Sequence, residues 1–393
     1  MKTTARHGLT GLVLVLGACA PGVPPQLHSA PPPLAANCAT SAVKIRFDFE
    51  TASSSRCIIN AEREFTLLVA PEHAPPINPS PWYAFRYEAQ SGGDVTVHLH
   101  YLVGKHRYAP KWDDGSGPRQ LAASTNMDAT VATIRLPAGR ATVSAQEIFD
   151  IDDHHRALMR WAQGPFAERF ALGLSHDRRP IAAVRLGRPD APHLILLLGR
   201  QHPPEVTGAI ALESFVDRIA AMLAADPALT RRYQFVVVPL LNPDGVARGH
   251  WRANLGGKDL NRDWGEFAQP ETRALKRWLD RLPASIRPIL MLDFHSTNRN
   301  LFYVQGDEAT APERAFLAAW LGKREGLLPG YPFSIERRNA TPDSGTTKNW
   351  FHAAYAIPAY TYEVCDDTDR ADIRRAAAIL ASDLPLALDL MAN

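Results

Sequence analysis

From about Arg160 onward the chain repeats one pattern, a continuous apolar run followed by a stretch with helical periodicity. The runs are His193 to Leu198, Phe235 to Leu240, Ile289 to Phe294 and Ala359 to Val364, and the helical stretches include Val206 to Leu223 and Glu271 to Leu282. A strand with no polar alternation has no side to turn to water, so both of its faces must be covered. The expected architecture is therefore an α/β domain, a mixed and mostly parallel sheet covered by helices. In such sheets ligands sit outside the carboxyl ends of the strands. No glycine-rich phosphate loop opens any of the helical stretches, so nucleotide chemistry has no seat in the sequence.

The region before it, from about Val43 to Ile151, has a different rhythm. Lys44 to Phe49, Glu64 to Val69, Trp82 to Tyr87 and Asp94 to Val103 alternate with period two between proline and glycine clusters. That is the pattern of a small all-β, antiparallel sheet or sandwich. His98 and His100 share one face of a strand and read as a solvated sheet surface. Asp152-Asp153-His154-His155 reads as the polar start of a helix. With 393 residues, two domains are expected. Forty-three basic against 41 acidic side chains leave a net charge of +2, which offers no bulk attraction for nucleic acid.

The first residues read as an export signal. Lys2 and Arg6 precede the apolar run Leu9 to Leu16, which is too short to span a bilayer and is followed by Gly17 and Ala18. Leu16-Gly17-Ala18-Cys19 resembles a bacterial lipobox, which implies lipidation of Cys19, a membrane partner reached through that anchor, and a periplasmic or cell-envelope address. Six prolines between Pro21 and Pro33 favour an extended tether. The expected organisation is thus a signal peptide over 1–18, a lipidated cysteine and tether over 19–40, the sandwich over 41–155 and the α/β domain over 156–393. A disulfide between Cys38 and Cys57 fits an oxidising compartment. Cys365, among acidic neighbours that would raise its thiol pKa, reads as a small buried hydrophobe.

Chemistry gathers at the ends of the apolar strands. His202 and Glu205, three apart in the turn after His193 to Leu198, can reach one cation, and His295 is delivered to the same rim by the run ending at Phe294. Two histidines, one glutamate and an open position make the ligand set of a catalytic zinc. Glu363 ends a further apolar strand, where an acid needs a partner, and can serve as a base beside such an ion.

These residues, with Arg252, Lys258-Asp259-Leu260-Asn261-Arg262-Asp263-Trp264, Asp293-Phe294-His295-Ser296 and Thr361-Tyr362-Glu363, resemble the M14 zinc metallocarboxypeptidases. The stretch Gly249 to Leu255 running into Asp259 to Arg262 is similar to the cytosolic-carboxypeptidase branch, whose members carry a β-sandwich ahead of the catalytic domain. The resemblance implies one Zn2+ on His202, Glu205 and His295, Glu363 as general base and then acid, and Arg252 stabilising the oxyanion. It implies Asn261 and Arg262 on the free terminal carboxylate of a peptide substrate, and Lys348 in the pocket for an acidic end residue. The branch tyrosine expected shortly before Ser344-Gly345 is missing, since Arg337 to Ser344 contains none. The same zinc chemistry would also serve a peptidoglycan carboxypeptidase or amidase, or an N-acyl amino acid deacylase. A non-catalytic surface protein that binds peptides is the reading from outside enzymology.

Overall fold

The computed structural model describes residues 37–53, 56–341 and 343–391. The expected signal segment, Cys19 and the proline-rich stretch lie outside the described residues. Among those described, no helix is long and apolar enough to cross a membrane.

Strands β1 (Asn37–Ala39), β2 (Val43–Arg46), β3 (Arg56–Ala61), β4 (Glu64–Val69), β5 (Ala84–Ala89), β6 (Val95–Tyr101), β7 (Lys111–Asp113), β8 (Arg119–Gln120), β9 (Ala123–Thr125), β10 (Val131–Leu136) and β11 (Gly139–Ser144) come first. They form a sheet ordered β1-β2-β5-β11-β7-β8 and a second ordered β3-β4-β6-β10-β9. Every second residue is buried along β4, β6 and β10, so Phe65, Leu67, Val97, Leu99 and Ile134 make the core between the sheets. The alternation predicts antiparallel pairing throughout, yet β4 and β6 run parallel. The chain crosses to the other sheet for β5 between them, and such a crossover returns the next strand in the same direction. Cys38 on β1 and Cys57 on β3 are bridged, which ties one sheet to the other. His98 is paired with Glu64 at 2.8 Å and Thr133 at 2.9 Å, and His100 is exposed.

Helix α1 (Ile151–Trp161) follows, opened by an Asp150–Asp153 capping box, so the acidic run is a helix start. The remaining elements are β12 (Glu168–Leu174), β13 (Pro180–Leu186), β14 (His193–Gly199), α2 (Val206–Ala225), α3 (Pro227–Arg232), β15 (Tyr233–Val238), α4 (Pro243–Ala247), α5 (Pro270–Leu279), β16 (Arg287–Thr297), β17 (Leu301–Gln305), α6 (Ala311–Leu317), β18 (Ser334–Arg338), α7 (Thr347–Tyr355), β19 (Ala359–Cys365) and α8 (Arg370–Leu388). Their eight-stranded sheet runs β12-β13-β15-β14-β16-β19-β17-β18. Its centre, β15-β14-β16-β19, is parallel, and the pairs β12–β13, β13–β15 and β17–β19 are antiparallel.

The central strands are buried on both sides, as continuous apolar runs require. Leu290, Leu292, Phe294 and Tyr362 pack toward α2 and α8, while Leu194, Leu196, Met291 and Ala359 pack with Trp264, Leu275 and Phe351 on the opposite face. The carboxyl ends of three adjacent strands, β14, β16 and β19, thereby open on one rim.

Candidate metal centre and its surroundings

The turn after β14 builds the first half of the site. Arg200 adopts a left-handed backbone (φ 51°), and its buried guanidinium donates to the Pro203 carbonyl at 2.7 Å, closing the loop that holds His202. Glu205 occupies the N-cap of α2 but does not cap it; the carboxylate turns inward instead. His295 lies within β16, not beyond it, because the strand runs on to Thr297. Helix α2 presses against its backbone at Gly208, where a Cβ would stand 2.6 Å from the His295 carbonyl oxygen.

His202, Glu205 and His295 converge, as expected from their spacing. Glu205 Oε1 is 2.8 Å from His202 Nδ1 and its Oε2 is 2.8 Å from His295 Nδ1, and the two Nδ1 atoms are 3.2 Å apart. All three residues are at least 96% covered, with 1%, 4% and 1% exposure. Behind each ring stands a carboxylate: Asp259 Oδ1 at 2.9 Å from His202 Nε2, and Asp293 Oδ2 at 2.8 Å from His295 Nε2, the latter off the hydrogen-bond axis. The Asp259 hydrogen bond favours the His202 ring proton on Nε2, and the nearby Asp293 charge favours the same tautomer of His295, so that each Nδ1 can turn a lone pair toward a cation. Ligand atoms of a four-coordinate zinc, about 2.1 Å from the ion, stand about 3.4 Å apart, so this donor set fits one. Burial pushes the Glu205 carboxyl up, but the two imidazoles outweigh it and hold the group well below its ordinary range.

Asp259 is the hinge of the site. Beyond His202, it accepts from Arg252 Nε at 2.8 Å and from the Asn261 backbone N–H at 2.8 Å. Burial raises its carboxyl, and His202 and then Arg252 more than reverse that, leaving it far below the usual carboxylate range. The bond to Asp259 sets the Arg252 guanidinium beside the cluster, with Nη1 3.9 Å from Glu205 Oε1. Asp293 is held in turn by Gln201 Nε2 at 2.5 Å, and Gln201 is fixed by Trp264 Nε1 at 3.0 Å and by donating to Thr347 at 2.7 Å.

Glu363 faces His295 in register on the neighbouring strand. Its Oε2 is covered and has no hydrogen-bond partner. Burial raises this carboxyl to about 7, with Glu205 adding to the effect and the imidazoles opposing it. Such an acid exchanges its proton near neutrality.

Asn261 and Arg262 form a short helical turn on the same rim. The amide oxygen of Asn261 accepts from the backbone N–H and hydroxyl of Thr347 at 2.9 and 3.0 Å, and Arg262 is exposed. The Ser344-Gly345 segment lies directly on Arg262, since a Cβ at Gly345 (φ +67°) would be 2.6 Å from the Arg262 carbonyl oxygen. Lys348, next to Thr347, is buried and donates its ammonium to the Arg338 carbonyl at 3.0 Å. Burial lowers its pKa. Cys365 is half-buried, its thiol donating to the Asn298 carbonyl at 3.3 Å.

Asp259 and Asp293 stand inside the motifs quoted above and Gln201 adjoins His202, yet none of the three was legible as a carrier of the site. The available signal was an acid next to or two residues from a motif position, and only the fold shows which imidazole each one backs.

Residues 160–380 match the zinc carboxypeptidase family, peptidase M14. The chain is 30% identical over 112 residues to cytosolic carboxypeptidase 2 of Danio rerio, covering 28% of this chain and 16% of that protein. It is 29% identical over 216 residues to cytosolic carboxypeptidase 6 of Caenorhabditis elegans, covering 51% of this chain and 47% of that one. It thus spans less than half the length of either relative. The crystal structure of a metallo-carboxypeptidase from Burkholderia cenocepacia shares the fold with a TM-score of 0.72 at 19% identity, over 88% of this chain and 99% of that one.

Proposed function

The chain belongs to the zinc carboxypeptidase family, and from that premise we propose that it is a zinc-dependent metallocarboxypeptidase that removes the last residue of a peptide. The observation that carries this reading is the convergence of His202, Glu205 and His295 within 4.8 Å of one another, beside an acid with a free carboxyl oxygen. When bound there, Zn2+ supplies Lewis acidity, polarising the scissile carbonyl and making water a better nucleophile.

Glu363 accepts a proton from the attacking water and returns it to the departing amine. A carboxyl whose proton affinity is raised by burial is suited to both steps. Arg252 presents a permanent cation where negative charge develops on the carbonyl oxygen. The exposed Arg262 fork and the amide of Asn261, whose oxygen is already engaged by Thr347, bind the terminal carboxylate. That clamp confines cleavage to a chain end.

For the end residue the proposal is an acidic side chain, recognised by Lys348. Its ammonium donates to a neutral carbonyl in this structure, and a carboxylate is the stronger acceptor. Peptides ending in Glu, Leu and Lys distinguish the outcomes: faster release of Glu is expected, and equal or faster release of Lys removes the preference.

The proposal extends to an exported protein anchored through Cys19. The basic start, the apolar run and the Cys38–Cys57 bridge support that address. Labelling with a radioactive fatty acid in cells, with Cys19→Ser alongside, tests it; label that persists in the variant rejects the anchor.

The function itself is tested with a library of peptides and muropeptides followed by mass spectrometry, comparing the protein with Glu363→Gln. Loss of single C-terminal residues, abolished in the variant, is expected. Cleavage only of muropeptide or N-acyl bonds redirects the substrate, and no cleavage at full zinc occupancy rejects the enzyme.

A further inference from the structure

Arg252 is held from two directions. Its side chain is fixed by Asp259, but its backbone is fixed by the sandwich. Glu72, in the segment after β4, accepts the Trp251 N–H at 2.7 Å through Oε2, and the Arg252 and Ala253 N–H groups at 3.0 and 2.6 Å through Oε1. Three successive amide protons pointing one way form an anion-binding concavity, and here the anion is built into the chain. From this geometry we propose that Glu72 is a positioning residue for catalysis, setting the backbone of residues 251–253 so that the Arg252 guanidinium stands beside the metal cluster. The inference rests on the role given to Arg252 above.

The surrounding contacts point the same way. The Trp251 ring is buried and its Nε1 donates to the Trp82 carbonyl at 3.0 Å. Thr51 N–H donates to the Ala247 carbonyl at 2.9 Å, and Gly249 (φ +61°) comes so near the sandwich that a Cβ would lie 2.7 Å from the Thr51 carbonyl oxygen. The loop carrying Arg252 is thus laid on the sandwich along its length. Of these contacts, Glu72 alone reaches the backbone of Arg252 itself.

A carboxylate suits this task where an amide does not. Glu offers acceptors on both oxygens for three donors, whereas Gln would keep one acceptor and turn an NH2 group toward the remaining N–H. Without any acceptor, the three N–H groups must rotate toward water. A displacement of about 1 Å at a catalytic group costs about 10²-fold in rate.

The test compares wild type, Glu72→Ala, Glu72→Gln, Arg252→Ala and the Glu72→Ala/Arg252→Ala double variant, all zinc-loaded, on a blocked dipeptide that wild type cleaves. Expected is a fall in kcat of about 30- to 100-fold for Glu72→Ala with KM changed less than about threefold, and a smaller fall for Glu72→Gln. In the Arg252→Ala background the same change should cost less than about threefold, because the residue it acts through is gone. Zinc content should stay unchanged, and hydrogen exchange over 247–254 should accelerate in Glu72→Ala. Equal cost in both backgrounds, unchanged kcat or lost zinc overturns the proposal. Should Glu72→Ala fail to fold, Glu72→Gln carries the cycle, and full kcat in that variant overturns it equally. An inactive wild type or a fully active Arg252→Ala instead removes the reading of Arg252, and the exchange data still report whether Glu72 holds the loop.

Discussion

Two acids, Asp293 buried and Asp259 half-buried, back the two histidines of the cluster, yet the structure assigns them unequal consequences when removed. Asp293 serves His295 alone among the groups proposed to touch substrate or ion, while Asp259 serves His202, Arg252 Nε and the Asn261 backbone together. Loss of a carboxylate behind a metal-bound imidazole typically costs 10- to 100-fold in metal affinity, or about 1.4 to 2.7 kcal/mol. Both Asp293→Ala and Asp259→Ala should show that loss in a chelator competition. Asp259→Ala also frees the guanidinium that sits 3.9 Å from Glu205. Losing one oxyanion donor costs about 10²- to 10³-fold in kcat, roughly 2.7 to 4 kcal/mol. Measured with zinc in excess, Asp293→Ala should therefore recover most of its kcat. Asp259→Ala should remain about 10²- to 10³-fold down, at the level of Arg252→Ala, and adding Arg252→Ala to it should cost little more. Equal recovery of both single variants would refute the claim that one acid orients both the ligand and the oxyanion group.

Stability responds to acid through His154, which is buried, meets Phe149 edge-on at 4.9 Å, and is pushed well below its ordinary pKa by burial and then by Arg200. The unfolded chain takes up a proton below about pH 6.5 that the folded chain refuses, so stability present above that pH falls as pH drops through it. The loss is about 1.4 kcal/mol between pH 7.5 and 5.5. Denaturant titrations should show it shrinking in His154→Phe, and an unchanged pH slope would contradict the assignment. Reduction of the Cys38–Cys57 bridge, with a separation of 19 residues, should lower stability by about 3 kcal/mol in the same assay, and no change in midpoint would count against it. Gly208→Ala would place a Cβ 2.6 Å from the His295 carbonyl oxygen, so zinc affinity should fall although no ligand is altered; an unaffected chelator titration would refute this.

Much of the architecture is written in hydrophobic period. Val206 begins α2 and Glu64–Val69 is β4, because burial on one face or two leaves a readable pattern. The hairpin of β12 and β13 left no such mark on its outer strand, where Glu168, Arg169, Ala171 and Leu174 are exposed at the sheet edge. The closing helix α8, which packs with α2, buries a stripe of Ile373, Leu380, Leu384 and Leu388, but Pro385 inside the helix and the exposed Leu386 beside that stripe blur its period in the sequence. In the site, His202, Glu205, His295 and Glu363 were legible because strand ends deliver them to one rim. Glu72 was not, since its partners are backbone N–H groups about 180 residues away, and a backbone donor leaves no signature in sequence. Lys348 was legible as a basic residue next to Thr347, which bonds Asn261, but the direction of its ammonium is decided by the Arg338 carbonyl on β18.

The most direct test of the central claim is the metal content and the C-terminal exopeptidase activity of the same purified samples, wild type beside His202→Ala, Glu205→Ala and His295→Ala. One zinc per wild-type chain is expected, with metal and activity lost together in each variant. Full zinc binding or undiminished peptide hydrolysis after replacement of His295 would contradict it.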